Sequence, residues 1–216
     1  MLCLDTSTAA VTVALVEDGT VLAGSDTLGA TAHGELLAPA VRAVLLAAGP
    51  GYDGVAVGAG PGPFTSLRVG LATAAALAAA RGVPVWTACS LDLLARPDTV
   101  VVQDARRREL YWAAYDASSA RVEGPAVATP DAVPVRGRRV RGAGAAAHPG
   151  LFPGAEPALP RAGDLWPRVV ARLGGPGDPV TPLYLRRPDA VEPVGRRPVL
   201  GVPGPRARQP RPGARS

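Results

Sequence analysis

MLCLDTSTAAVTVALVEDGTVLAG, residues 1–24, decides the fold class. Residues 2–4 form an apolar run of strand length, 5–9 a polar turn, 11–16 an alternating strand, 17–20 a tight turn, and a third strand is expected near 21–24. This is an antiparallel meander. Residues 33–48 then place Leu36, Leu37, Ala40, Val41, Val44, Leu45 and Ala48 at helical spacing, and Gly49-Pro50-Gly51 stops the run. A short buried strand at 54–58, a turn at 60–63, a helix at 66–81 and a strand at 83–88 follow. Strands alternating with helices require parallel pairing, so residues 1–95 read as one α/β half with a parallel-edged sheet.

The pattern restarts at 99–103 and 109–116, two apolar strands around the polar connection Asp104-Ala105-Arg106-Arg107-Arg108. Residues 96–190 are therefore expected to duplicate the first half. Beyond Arg121, Pro and Gly punctuate every few residues, with a strand expected at 139–142 and a short helix at 165–173. Residues 191–216 are rich in Arg, Pro and Gly and read as a disordered tail. Residues 195–216 hold five Pro, four Gly and six Arg, too little apolar surface to offset chain entropy. Deleting them is expected to leave the melting temperature unchanged in calorimetry, and a loss of several degrees would show that the segment packs on the body.

Composition narrows the function classes. In 216 residues, 47% are hydrophobic and the mean hydropathy is +0.15, which excludes a disordered chain. The longest apolar run falls far short of the roughly 20 residues that a membrane span needs, and MLCLDTST lacks the basic and apolar regions of an export signal. A cytoplasmic location is expected. Residues 1–95 carry three Arg against seven acids and 96–216 twenty against eleven, so the net charge of +5 divides into −4 and +9. There is no Lys, Ile or Asn, a usage that follows GC-rich coding, and the Arg-dense region 186–216 has no aromatic residue of the kind that interleaves with Arg on a nucleic-acid surface. Cys3 and Cys89 lack metal-site or redox spacing and read as buried free thiols. His33 and His148 are the only histidines, and no metal is expected in this chain.

The helix at 66–81 has Thr73 as its only polar side chain between Arg68 and Arg81. Apolar on all sides, it is either sandwiched inside its own domain or packed with one face on the sheet and the other on a partner. Thr65 or Ser66 suits its N-cap. The preceding Gly58-Ala59-Gly60-Pro61-Gly62-Pro63 is neither a dinucleotide fingerprint nor a P-loop, and its prolines remove donors that a phosphate cradle would use. A rigid turn is the better reading. Asp5-Thr6-Ser7-Thr8 has the residue types of an ordinary turn and equally of a phosphate-facing one.

Leu4-Asp5-Thr6-Ser7-Thr8, the block Gly60-Pro61-Gly62-Pro63-Phe64-Thr65-Ser66-Leu67-Arg68-Val69-Gly70, Asp104-Ala105-Arg106 with Glu109-Leu110-Tyr111-Trp112, and Pro182-Leu183-Tyr184-Leu185-Arg186 together resemble the TsaB (YeaZ) family. The resemblance runs from residue 1 to about 190. It implies an actin-like, Hsp70-type fold of two RNase-H-like halves. It further implies a non-catalytic subunit for threonylcarbamoyladenosine formation in tRNA, acting on the paralogous transferase TsaD. The metal and an ATP-derived intermediate would sit on TsaD, with no cofactor in this chain, and a TsaE-type ATPase would join the complex. A homodimer is expected when the chain is alone, and contact with tRNA only through the complex.

On that resemblance the partner interface is assigned to Leu36, Leu37, Val41, Arg68, Gly70, Thr73 and Leu77, on the helices 33–48 and 66–81. Asp5, Thr6 and Ser7 are assigned to the edge of a degenerate nucleotide site. His33, at a helix start, reads as a capping or surface residue. The alternative function is a protease or nucleotide-binding enzyme acting on the partner, although no Ser/His/Asp spacing supports one.

Overall fold

A computed structural model describes residues 1–29 and 32–186. The tail expected at 191–216 lies outside the described residues. Among the described residues nine strands form two sheets. In the first, β1 (Leu2–Asp5), β2 (Ala10–Glu17) and β3 (Thr20–Leu28) make the meander, and β4 (Val55–Gly58) and β5 (Val85–Ala88) add parallel to β1, giving the order β3-β2-β1-β4-β5. In the second, β6 (Thr99–Asp104), β7 (Leu110–Tyr115) and β8 (Arg121–Ala128) repeat the meander, and β9 (Arg139–Arg141) joins β6 in parallel, giving β8-β7-β6-β9.

Two strands exceed the sequence reading. β3 continues to Leu28, and β8 falls in the stretch where Pro and Gly obscure the pattern. Both are outer strands of their sheets with mixed burial, so neither carries clean alternation. Residues 162–172 form short helical turns, Ala162–Leu165, Trp166–Val169 and Val170–Arg172, instead of one helix.

Helices α1 (His33–Ala48) and α2 (Phe64–Arg81) cover one face of the first sheet. Leu2, Leu4, Val11, Val13, Leu15, Val55 and Val57 point at them and meet Leu37, Val41, Val44, Leu71, Ala74 and Ala78. The opposite face presents Cys3, Ala14, Val16 and Ala56, and Ala162, Leu165 and Val169 cover it. Residues expected to serve the second half thus complete the first. This cover explains why β2 is buried on both faces rather than alternating.

α2 starts at Phe64, after Pro63, and neither Thr65 nor Ser66 caps it. The Ser66 hydroxyl instead donates to the Pro63 carbonyl at 3.0 Å. At the other end Gly82 adopts φ +66°, and its N–H reaches the Ala78 and Ala79 carbonyls. Leu67, Gly70, Leu71, Ala74 and Ala78 are buried, while Arg68, Ala72, Ala76 and Ala79 are exposed. The helix is not sandwiched within the described chain. One face is open.

Candidate functional site

The turn after β1 is closed by its own side chains. Asp5 Oδ1 accepts from the Ser7 backbone N–H at 2.9 Å and the Ser7 hydroxyl at 2.7 Å, and Oδ2 accepts from the Ser90 hydroxyl at 2.6 Å. Ser90 in turn accepts from the Gly60 N–H at 3.2 Å, and the Thr6 hydroxyl donates to the Ser66 carbonyl at 2.7 Å. Asp5, Thr6 and Ser7 are all buried. Asp5, Thr6 and Ser7, assigned to the edge of a degenerate nucleotide site, here use their polar groups to tie β1 to the Gly60 turn and to α2. Glycines make the closure possible, since a Cβ at Gly58 would overlap the Asp5 carboxylate, one at Gly62 the Ser7 backbone, and one at Gly70 the Thr6 hydroxyl. The glycine spacing carried this signal.

Burial holds the Asp5 carboxyl above the ordinary carboxylate range, against the Ser90 and Ser7 donors that favour its charged form. Folding therefore takes up a proton just above the ordinary carboxylate pKa, and Asp5's contribution to stability falls as pH rises through that window. Asp5→Asn carries no charge to bury. Its unfolding free energy is expected to gain on wild type as pH is raised from about 4 to about 7, measured by urea titration; a constant difference would show that Asp5 is not the titrating group.

His33 is buried, with Nε2 2.7 Å from the Thr8 carbonyl, and so is not the surface or capping residue expected. A ring in that position fastens α1 to the β1–β2 turn. Burial pushes the Cys3 thiol up to about 12 and the Cys89 thiol up to about 11, so both rest as thiols. Among the described residues no three of His, Cys, Asp and Glu come together to hold a metal ion. No helix among them is long and apolar enough to cross a membrane.

The second candidate region is the open side of α1 and α2. Leu37 and Gly70 are buried in the chain's own core or against Thr6, which corrects their assignment to a partner-facing surface, whereas Val41, 6% exposed, lies at the floor between that core and the open side. Leu36, Thr73 and Leu77 are half-buried and Arg68 is exposed. Thr73 and Leu77 line a shallow apolar groove of about 490 Å³ with Leu45, Leu46 and Pro50. Leu46 is 75% exposed. Sequence reasoning passed over it because it falls outside the helical stripe, yet a leucine on the polar side of an amphipathic helix is the signal that marks it.

At the N-terminal end of α2, Phe64 stacks on Tyr184 with ring centroids 5.0 Å apart. The Arg68 guanidinium lies 3.8 Å over the Phe64 ring and donates from Nε to the Tyr184 hydroxyl at 3.1 Å. The same C-terminal strap sends the Leu183 N–H to the Ala59 carbonyl, and Arg186 to the Ala105 carbonyl and the Glu109 carboxylate. The motifs at residues 60–70 and 104–112 thus both meet the one at 182–186.

A solved structure described as YeaZ from Pseudomonas aeruginosa superimposes with a TM-score of 0.71, covering 85% of this chain and 98% of that one at 31% identity. The chain belongs to the TsaB (YeaZ) family. Its two-sheet architecture is the actin-like, Hsp70-type fold. The family model described as TsaD, tRNA N6-adenosine threonylcarbamoyltransferase, matches residues 27–135. An uncharacterized protein of Mycobacterium tuberculosis is 46% identical over 88% of this chain and 93% of its own length. The tRNA threonylcarbamoyladenosine biosynthesis protein TsaB of Escherichia coli is 33% identical over 53% of this chain and 54% of its own length.

Proposed function

We propose that this TsaB-family chain serves tRNA threonylcarbamoyladenosine biosynthesis as a non-catalytic subunit that binds and activates the TsaD-type transferase. The observation that carries the reading is the open apolar groove between α1 and α2, with Leu46 three-quarters exposed at its rim. Apolar surface gathered in this way on a soluble protein marks a place of association. Small side chains at Ala72, Ala76 and Ala79 leave the adjoining helix surface free of steric obstruction, so a partner helix can approach closely.

Activation then follows from differential binding. A partner whose competent conformation alone fits the groove is held in that conformation, and a coupling of about 2.8 kcal/mol shifts such an equilibrium about a hundredfold. The metal and the ATP-derived intermediate belong to the partner in this reading. The protease or nucleotide-binding alternative would need chemistry from residues that the fold uses elsewhere: Asp5, Ser7 and Ser90 bond one another, and His33 engages Thr8.

The test is co-purification with the transferase paralogue of the same genome, followed by a tRNA modification assay with and without this chain. Modification is expected only with both present. Activity of this chain alone, or full activity of the paralogue without it, would sink the reading. In isolation the chain is expected to dimerise through the same groove in light scattering, and a monomer at high concentration that still binds the paralogue normally counts against a shared surface.

A further inference from the structure

A recess of about 550 Å³ opens at the end of the first sheet where β1 and β4 begin and β2 ends. Three adjacent strands set its width. Met1 exchanges backbone hydrogen bonds with Val16, and the Leu2 N–H reaches the Gly54 carbonyl, so Met1 lies between the end of β2 and the entry to β4. Two strand spacings, about 10 Å, therefore separate the β2–β3 turn, with Glu17 and Asp18, from Asp53 on the other side. The carboxylates form two anionic rims rather than one cluster, and among the described residues no three of His, Cys, Asp and Glu come together to hold a metal ion.

Between the rims the surface is apolar. Trp86 underlies the Asp53 end, where a Cβ at Gly54 would overlap its ring, and Trp166 underlies the other, its Nε1 3.4 Å from the place of a Cβ at Gly19. Trp86 is buried and serves as floor, whereas Trp166, Met1 and Leu173 are half-buried and Leu22 is 46% exposed, so a ligand has ring and aliphatic surface to lie on. No described arginine lines the recess, and its one cation, the Met1 ammonium, donates to the Val16 carbonyl at 2.7 Å. Glu17, Asp18 and Asp53 are exposed and form no ion pair among the described residues. Arg81 lies over the Tyr52 ring and donates to the Pro50 carbonyl, and Arg172 pairs with Asp178. The chain thus leaves both rims unneutralised.

Two negative ends with an apolar middle select among cations. A single metal ion cannot bridge carboxylates whose backbones stand about 10 Å apart, and a lone ammonium leaves one rim unmatched. A linear polyamine carries an ammonium at each end, each a donor to a carboxylate, and the methylenes between them can lie on Trp166, Met1 and Leu173. We infer that this recess is a binding site for a linear polyamine, with Asp53 holding one end, Glu17 and Asp18 the other, and Trp166 the chain between them.

The test is calorimetric titration of the full chain with spermidine, with n-butylammonium, with magnesium ion and with a tetra-arginine peptide, without the transferase, so that its outcome is independent of the activating role. Saturable one-site binding of spermidine is expected, with n-butylammonium about tenfold weaker. Glu17→Gln and Asp53→Asn should each weaken spermidine about threefold and together about tenfold, the scale of solvent-facing ion pairs. Either change should also bring spermidine and n-butylammonium closer in affinity, since one rim then remains. Both positions are exposed, so the melting temperature should stay at wild type, and Asp131→Asn, exposed on the second half, should bind as wild type. Equal affinity in wild type and the double variant overturns the site. n-Butylammonium binding as tightly as spermidine overturns the two-ended reading, and displacement of spermidine by an equal concentration of magnesium ion overturns it as mere charge attraction. Tetra-arginine binding more tightly than spermidine with the same variant pattern makes the recess a peptide site instead.

Discussion

Leu46→Arg is expected to reduce tRNA threonylcarbamoylation by the reconstituted pair on the order of a hundredfold or more, while the isolated variant melts where wild type does. Leu46 is 75% exposed, so a long polar side chain there has water to occupy in the free subunit and the fold loses little. In the proposed complex the same side chain would be enclosed with the apolar groove, and an unpaired guanidinium enclosed without a partner costs several kcal/mol. Leu46→Met, apolar and similar in volume, should restore activity. Size-exclusion chromatography of the mixture should show Leu46→Arg running apart from the transferase and Leu46→Met running with it. Should Leu46→Arg co-elute and support modification as wild type does, the groove is not where the partner binds.

A large loss of stability is expected from a single methyl group. Gly62→Ala places a Cβ against the backbone of Ser7, which cannot swing aside as a side-chain end does, and the turn bearing the Asp5 network must move to admit it. A cost of about 3 kcal/mol is expected for overpacking of this kind, or roughly 6–12 °C in melting temperature for a chain of this size. Gly34→Ala makes the same chemical change with the opposite outcome. Gly34 lies in the first turn of α1 with nothing within 4 Å of an added Cβ, so the variant removes backbone freedom from the unfolded chain and should gain about 0.5–1 kcal/mol. Thermal unfolding of both decides the matter; equal melting temperatures would mean that the closed turn does not hold the two elements together.

The opening meander, α1, β4, α2 and the restart at Thr99 follow from the sequence alone, because their hydrophobic periods are local and each element carries its own. The motifs at residues 4–8, 60–70, 104–112 and 182–186 likewise sufficed to point to the family. Tertiary structure decided the rest. Whether Asp5, Thr6 and Ser7 face a ligand or each other depends on Ser90, 85 residues from Asp5, and on the glycines at 58, 62 and 70 that let the turns close. The cover on the back of the first sheet comes from Ala162, Leu165 and Val169, nearly 150 residues beyond the Ala14 and Val16 they pack on, and no periodicity within β2 announces it. On α2 apolar residues surround the axis, so composition leaves every direction equivalent. Packing on the first sheet broke that symmetry, burying Gly70 and Ala74 and leaving Arg68, Ala72 and Ala76 open. Periodicity records which residues share a face, whereas the partner of a face is set by contacts that only the folded chain brings together.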